Sequence, residues 1–176
     1  MSNTVLYLRS PAPSDIKILK QLYAASSSLH QPWSYAPTDF EQFIQDEGRY
    51  LLCLKVDDSI IGTFHISGIV RGYFQSAYLG FEVFAPYQGK GFMKPGLQLL
   101  IKEAFETLNL HRLEANIQPE NSASTKLVSG AGFVKEGFSK QYLNIGGKGW
   151  KDHERWALLN THWQSNGKTK IGNTAS

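Results

Sequence analysis

Apolar side chains recur at helical spacing in two long stretches of the chain. The first stretch, residues 16–23, follows Ser14 and Asp15, either of which can cap a helix. The second, residues 93–108, has apolar side chains at i, i+4, i+7 and i+8, and Pro95 is acceptable there because it falls in the first turn. The spacing therefore predicts two helices, each with one buried face.

Shorter apolar runs, bounded by turn residues, predict the strands. They cover residues 5–9, 50–56, 60–69, 77–84, 111–117, 138–145 and 151–159. Asp57-Asp58-Ser59 suits one hairpin turn and Gly146-Gly147-Lys148-Gly149 suits another. Two further short helices are expected around residues 40–44 and 121–130. These elements indicate an α+β fold with a mixed, mainly antiparallel central sheet.

One domain is the expected count. With 176 residues and 41% hydrophobic content, the chain can bury one sizeable core. No repeat or linker interrupts residues 1–163, so we assign them to a single domain, and we expect the polar tail at 164–176 to be disordered. The formal net charge of +3 is small and no long basic run accompanies it, so direct nucleic-acid binding is not expected.

The sequence also disfavours several kinds of site and location. The amino end has no charged-then-apolar signal region, and no apolar run approaches the length of a membrane span, so we expect a cytoplasmic enzyme without a membrane partner. The single cysteine, Cys53, lies in an apolar run and is expected to be a core thiol rather than a nucleophile. The five histidines show no metal-ligand spacing, and no metal site is expected.

The stretch most informative about function runs from Leu79 to Met93. An apolar strand there leads through a turn into a glycine-rich loop that opens the second long helix. Gly89 and Gly91 allow the backbone to turn tightly and to direct successive N–H groups at one point, and Lys90 adds a positive charge. The loop therefore predicts a phosphate-bearing ligand.

Two familiar phosphate-binding loops do not fit these residues. A dinucleotide-binding loop needs a third glycine where this chain has Lys94, and it usually lies at the first strand-to-helix turn of a domain. A Walker A loop needs its first glycine where this chain has Phe84, and a serine or threonine where it has Gly91. Neither class of nucleotide-binding protein is supported.

The loop and several other segments resemble one family. Gln88-Gly89-Lys90-Gly91-Phe92-Met93 resembles the acyl-coenzyme A pyrophosphate loop of the GNAT acetyltransferase superfamily, although Met93 departs from the usual small residue at the last position. Other segments resemble, in the same order, the ribosomal-protein N-terminal acetyltransferase (Rim-type) branch. They are residues 29–33, 111–116, 119–124, 132–137 and 150–153. The resemblance covers about residues 5 to 163.

The resemblance implies a GNAT-like fold, in which helices flank a sheet that contains a splayed strand pair. It implies acetyl-coenzyme A as the cofactor, bound in the splay. The loop residues that would cradle its pyrophosphate are Gln88, Gly89, Lys90, Gly91, Phe92 and Met93. Backbone groups of Glu82, Val83 and Phe84 would bind the pantetheine arm. Asn121 and Ser124 would lie on the coenzyme and beside its sulfur, although both also suit the start of a helix as caps.

Glu82 and Ser124 are the candidate catalytic residues. Glu82 interrupts a strand that is otherwise apolar on both faces, so it faces a cavity or has a partner. It is either a salt-bridged or rim-exposed carboxylate, or the group that receives a proton from an acceptor amine. Many GNAT enzymes have a tyrosine proton donor four residues after Ser124, where this chain has Val128. Ser124 would then donate a hydrogen bond to the departing thiolate.

The candidates for acceptor binding are Trp33, Tyr35 and Asn116. Trp33 and Tyr35 belong to a proline-rich segment that covers the acceptor site in similar proteins, and a core or lid role is the alternative. Asn116 ends a strand, where its side chain could face the splay or start a turn.

The resemblance implies an acetyl-coenzyme A-dependent N-acetyltransferase that acts by direct transfer. Its acceptor would be the α-amine of a protein such as a ribosomal protein, and the enzyme would be a monomer or a homodimer. Two alternatives stay open, namely acetylation of a small amine (a polyamine, an aminoglycoside or an amino acid) and a non-catalytic acyl-coenzyme A sensor. A polyamine or an aminoglycoside would call for several carboxylates at the site. The candidates are Asp39, Glu41, Asp46 and Glu47.

Overall fold

Seven strands form one sheet in the computed structural model, which describes residues 5–165. The strands are β1 (Leu6–Arg9), β2 (Arg49–Leu54), β3 (Ile60–Val70), β4 (Ser76–Val83), β5 (Arg112–Ile117), β6 (Val134–Asn144) and β7 (Trp150–Leu159). Their order across the sheet is β1-β2-β3-β4-β5-β7-β6. The β4–β5 pair is parallel, and the other neighbouring pairs are antiparallel. The α+β fold with a mixed, mainly antiparallel sheet is therefore confirmed.

Four helices follow the predicted apolar spacing, whereas the four-residue helix at Ser27–His30 was not predicted. The helices are α1 (Ile16–Ala25), α2 (Ser27–His30), α3 (Phe40–Gln45), α4 (Met93–Lys102) and α5 (Ser122–Gly130). The predicted helix over residues 93–108 is present in two geometries, because α4 continues into a π-helical turn at Glu103–Thr107. No helix within residues 5–165 is both long enough and apolar enough to cross a membrane.

The core lies in two layers, one on each face of the sheet. Adjacent residues of a strand point to opposite faces, so Leu51 and Leu52 of β2 belong to different layers. The larger layer lies under α4, where Leu97 and Leu100 are fully buried. The smaller layer, under α1 and α3, contains Cys53, and its burial raises the pKa of that thiol to about 12. A neutral, buried thiol of this kind is unsuited to nucleophilic catalysis.

The carboxyl-terminal hairpin is longer than the sequence predicts. β6 begins at Val134, four residues before the predicted start, and β7 lies between β5 and β6. The apolar pattern does not show the start of β6, because the first residues of this strand are exposed and alternate little between apolar and polar. Of the predicted tail at 164–176, residues 166–176 lie outside the described part of the chain.

Candidate active site

A gap opens in the middle of the sheet where β4 and β5 separate. The two strands pair only through Ser76, Ala77 and Tyr78 of β4. Beyond Tyr78, β4 stays with β3 as far as Val83, while β5 stays with β7 as far as Ile117. The backbone edges that face each other across the gap therefore have no partner strand, as the resemblance to the GNAT family implies.

The register of β3 and β4 decides which backbone groups face this gap. The Phe84 N–H donates to the Ile61 carbonyl at 2.9 Å. Because hydrogen-bonded residues alternate along an antiparallel pair, the N–H and carbonyl groups of Glu82 also point to β3, while those of Phe81 and Val83 point into the gap. The Val83 carbonyl is bound by Nε2 of the buried His30 at 2.8 Å. The N–H groups of Phe81 and Val83 are thus the backbone donors that β4 offers to the gap.

The glycine-rich loop at the end of β4 has the geometry of an anion site. Gly89 and Gly91 have φ angles of 73° and 79°, and a Cβ on either would meet no atom of the described chain within 4 Å. The N–H groups of Gly89, Gly91 and Phe92 make no hydrogen bond within residues 5–165, and the loop leads directly into α4. Free amides beside a helix N-terminus, with the Lys90 ammonium close by, fit a pyrophosphate.

A cavity of about 280 Å³ extends from this loop into the gap, and we call it the loop cavity. Its lining includes Phe81, Glu82, Val83, Gln88, Gly89, Met93, Asn121 and Ser124. The predicted coenzyme residues from β4, the loop and α5 are therefore brought together around one space. Lys90, Gly91 and Phe92 lie on the loop itself, beside the cavity, while the Phe84 side chain is buried in the smaller core layer.

Asn121 and Ser124 have a structural role as well as a place in this lining. The Asn121 Oδ1 atom accepts from the Ser124 N–H at 3.2 Å, which caps α5. The Ser124 hydroxyl makes no hydrogen bond within the described chain and is left facing the loop cavity. Val128 is fully buried in the larger core layer, so that position gives the site no polar group.

Glu82 is held by three hydroxyl groups. Tyr23 donates to its Oε2 atom at 2.5 Å, Ser34 donates to Oε1 at 2.5 Å, and the Thr63 hydroxyl lies 3.4 Å from Oε2. No salt bridge to Glu82 forms among residues 5–165, so a salt-bridged carboxylate does not describe this residue. Burial and the adjacent Glu82 charge raise the pKa of Tyr23, so its phenol stays protonated and remains a donor.

A second cavity, of about 490 Å³, lies on the sheet face to which Glu82 points, and we call it the sheet cavity. Its lining includes Tyr23, Trp33, Tyr35, Arg49, His65, Gly80, Glu82, Asn116 and His153. The predicted acceptor residues Trp33, Tyr35 and Asn116 are therefore brought together here. The two cavities share six lining residues, so they meet around the Glu82 carboxylate. The shared residues are Trp33, Ser34, Phe81, Glu82, Asn121 and Ser124.

Sequence reasoning missed three residues that position this centre. Tyr23 fits the apolar face of α1, and nothing in the pattern distinguishes its hydroxyl from a core phenol. Ser34 lies between two aromatic residues and His30 stands alone in a short helix, so neither carries a motif. The one available signal is the Tyr23 hydroxyl at the end of the apolar face of α1, and it does not show which residue the hydroxyl binds.

The chain is similar to known acetyltransferases. The model of the family described as "Acetyltransferase (GNAT) domain" matches residues 6–134. The probable N-acetyltransferase YjcK of Bacillus subtilis is 34% identical over 125 residues, which are 70% of this chain and 68% of that protein. The [ribosomal protein uS5]-alanine N-acetyltransferase of Escherichia coli is 40% identical over 107 residues, which are 61% of this chain and only 55% of that protein.

A solved structure shows the same architecture. The crystal structure of the ribosomal-protein-S5-alanine acetyltransferase from Vibrio fischeri superposes with a TM-score of 0.80 at 28% identity, over 90% of this chain and 95% of that one. This coverage and TM-score show that the two chains share one fold.

Proposed function

Because the chain belongs to the GNAT acetyltransferase family, we propose that it moves an acetyl group from acetyl-coenzyme A to the α-amine of a protein, such as a ribosomal protein. Acetyl-coenzyme A is the donor typical of this family. The observation that carries the proposal is the meeting of the two cavities at Glu82, with an anion-binding loop at the far end of one of them.

The loop cavity is the proposed site of acetyl-coenzyme A. Free amides of Gly89, Gly91 and Phe92 suit its pyrophosphate, and the unpaired backbone edge of β4 suits its pantetheine arm. When bound, acetyl-coenzyme A supplies the acetyl group and a thiol leaving group.

Glu82 is the proposed proton acceptor. An amine must lose its proton before its nitrogen can attack, and a carboxylate within reach of the sheet cavity can receive that proton directly or through one water. The Tyr23 and Ser34 hydroxyls keep the carboxylate directed at the junction of the two cavities. In this scheme Cys53 has no part, since its thiol is buried in the core.

Two further groups act on the other side of the junction. The Val83 N–H donates to the carbonyl oxygen on which negative charge develops, and a fixed donor of this kind contributes roughly 3 kcal/mol to transition-state stabilisation. The Ser124 hydroxyl donates to the sulfur as it leaves. Ser124 is a weak acid, so a hydrogen bond rather than full proton transfer is proposed.

The charges of the sheet cavity favour an acceptor with one ammonium group. Of the four carboxylates considered for a polyamine, only Asp46 lines the cavity, and it is bound by Arg49 and by Gln42. Glu82 is then the one lining carboxylate without a cationic partner. One free carboxylate matches one amine, which supports a peptide α-amine over a polyamine or an aminoglycoside.

Release of free thiol from acetyl-coenzyme A tests the proposal. The panel contains Ala- and Ser-starting peptides, spermidine, an aminoglycoside and free amino acids. We expect release with the peptides, and mass spectrometry should place the acetyl group on the α-nitrogen. Release confined to small amines would contradict the acceptor, and coenzyme binding with no release on any acceptor would favour a sensor.

A further inference from the structure

A row of residues next to Glu82 has no part in the scheme above. Arg49 on β2 pairs with His65 on β3, and His65 pairs with Gly80 on β4, so the three lie in one line across the sheet. Glu82 is two residues from Gly80 along β4 and therefore points to the same face. All four residues line the sheet cavity.

Gly80 leaves the floor of this row open. A Cβ on Gly80 would meet one atom of the described chain within 4 Å, the His65 Cβ at 3.9 Å. Its φ angle is not in the left-handed region, so the backbone itself does not require glycine here. Glycine inside a strand often marks a place where a ligand or another backbone approaches closely. The floor of the sheet cavity is thus shaped for a main chain rather than for a side chain.

Arg49 is held rigidly at one end of the row and has donors to spare. Its Cζ atom lies 4.0 Å from the centroid of the Phe43 ring, and its side chain is only 15% exposed. Within residues 5–165 it makes one hydrogen bond, from Nη2 to the Asp46 carboxylate at 3.3 Å, and its Nε is buried with no acceptor. A guanidinium has five N–H groups, so most of its capacity is free for a ligand.

Asn116 is the matching group on the other side of Gly80. Its Oδ1 atom is buried and has no donor in the described chain. The row therefore has a spare donor at Arg49 and a spare acceptor at Asn116. A trans peptide unit carries its carbonyl and its N–H on opposite sides, which is the complementary arrangement, whereas a polyamine offers no carbonyl.

The charges of the row favour a neutral carbonyl over a carboxylate at Arg49. Asp46 already balances the guanidinium, and burial together with Arg49 lowers the pKa of His65, which is then neutral at pH 7. Glu82 carries the remaining charge near the row, and one ammonium group balances it. A carboxylate bound at Arg49 would leave an excess negative charge in a half-buried space.

We propose that Arg49, Gly80 and Asn116 form a subsite for the first peptide unit of the acceptor, with its carbonyl on Arg49, its N–H on Asn116 and its chain crossing Gly80. The α-amine then lies at Glu82. This subsite rests on the proposed function and names the feature that selects the substrate class, a carbonyl next to the amine.

The test compares two acceptors that differ in that carbonyl. They are alanine methylamide and 2-aminopentane, an amine of similar length without a peptide unit, used at equal concentrations of neutral amine. Arg49→Met should lower kcat/KM for the methylamide at least tenfold, through a higher KM. It should leave kcat/KM for 2-aminopentane and the KM of acetyl-coenzyme A unchanged. Arg49→Lys, which keeps the charge and the contact with Asp46, should give an intermediate loss. Arg71→Met, at the exposed β3–β4 turn, is the matched control.

Gly80→Val provides an independent measurement. The added side chain should fill the floor of the sheet cavity and lower kcat/KM for the methylamide. The melting temperature and the affinity for coenzyme A should stay at wild-type values. Gly130→Ala, where an added Cβ meets nothing within 4 Å, is its control.

The possible outcomes separate the two proposals. If Arg49→Met changes both acceptors equally, or changes neither, the peptide subsite is wrong while the proposed function stands. Wild-type kcat/KM for the methylamide in Gly80→Val would also overturn the subsite. If the wild-type enzyme acetylates no peptide and no amino-acyl amine, both proposals fall.

Discussion

The loop cavity and the sheet cavity meet at Glu82, but they are built from different parts of the chain. The loop cavity takes its free backbone donors from one continuous segment, namely the N–H groups of Phe81, Val83, Gly89, Gly91 and Phe92. The sheet cavity depends on side chains from α1, α3, α5, six strands and several connecting segments. Backbone groups can bind the same ligand in proteins of different sequence, whereas a surface made of side chains changes with each substitution. The loop cavity therefore suits an acetyl donor that many enzymes share, and the sheet cavity suits an acceptor that each enzyme selects.

The largest expected effect comes from filling the glycine loop. Gly91→Trp adds a large side chain to the loop, at a position where a Cβ would meet nothing within 4 Å beyond its chain neighbours, and it imposes a φ of 79° on a residue that disfavours it. We expect coenzyme A binding to fall below detection by titration calorimetry, with far-ultraviolet circular dichroism unchanged. Gly72→Trp is a matched control, because Gly72 has a φ of 67° and equal free space at a turn remote from both cavities. Wild-type affinity in Gly91→Trp would remove the loop from the binding site.

The contrast between the cavities explains how far sequence reasoning reached. The loop could be predicted because Gly89, Lys90 and Gly91 are adjacent in the chain and their conformational needs are local. The strands and helices could be predicted for the same reason, with two exceptions. These are the four-residue α2 and the start of β6, whose exposed residues show little alternation. The position of β7 between β5 and β6 is a tertiary property that no local pattern encodes.

The sheet cavity was the harder part to predict. Trp33, Tyr35 and Asn116 were assigned to it from a resemblance, and the structure places them along one cavity. Tyr23 gave no comparable signal because its partner Glu82 is 59 positions away in the chain. Arg49 gave none because the row that it completes with His65 and Gly80 forms only in the sheet. Their contribution is visible only when α1, β2 and β4 are packed together.

Removing the charge at the junction should have the second-largest effect. Glu82→Gln keeps the volume but cannot take a proton, and general-base catalysis typically contributes on the order of 10²–10⁴-fold. The loss in kcat should be greatest at low pH, where the neutral amine is scarcest, and should shrink as pH rises. Glu103→Gln, whose carboxylate accepts from Tyr50 outside both cavities, is the control. Wild-type rates across the pH range would assign Glu82 a structural role.

Tyr23→Phe tests a smaller contribution to the same centre. It removes one of the hydroxyls that hold Glu82, and hydrogen bonds to charged groups contribute about 1.5–3 kcal/mol, so kcat should fall about tenfold or more. Tyr50→Phe is the matched control. A fall in stability with kcat unchanged would show that the Tyr23 hydroxyl serves folding alone.

The smallest expected effect on kcat is at Ser124. At the start of α5, the helix cap and the hydrogen bond to the departing thiolate can be tested separately. The helix cap is the bond from the Ser124 backbone N–H to the Asn121 side chain, and an alanine at 124 retains that N–H. Ser124→Ala should therefore lower kcat a few-fold without changing stability, whereas Asn121→Ala should cost about 1 kcal/mol of stability through loss of the cap. Thermal unfolding and kcat, measured on both variants, give the comparison. If Ser124→Ala leaves kcat unchanged with leaving groups of both high and low basicity, its hydroxyl takes no part in thiol departure, and that side of the junction acts through the backbone alone.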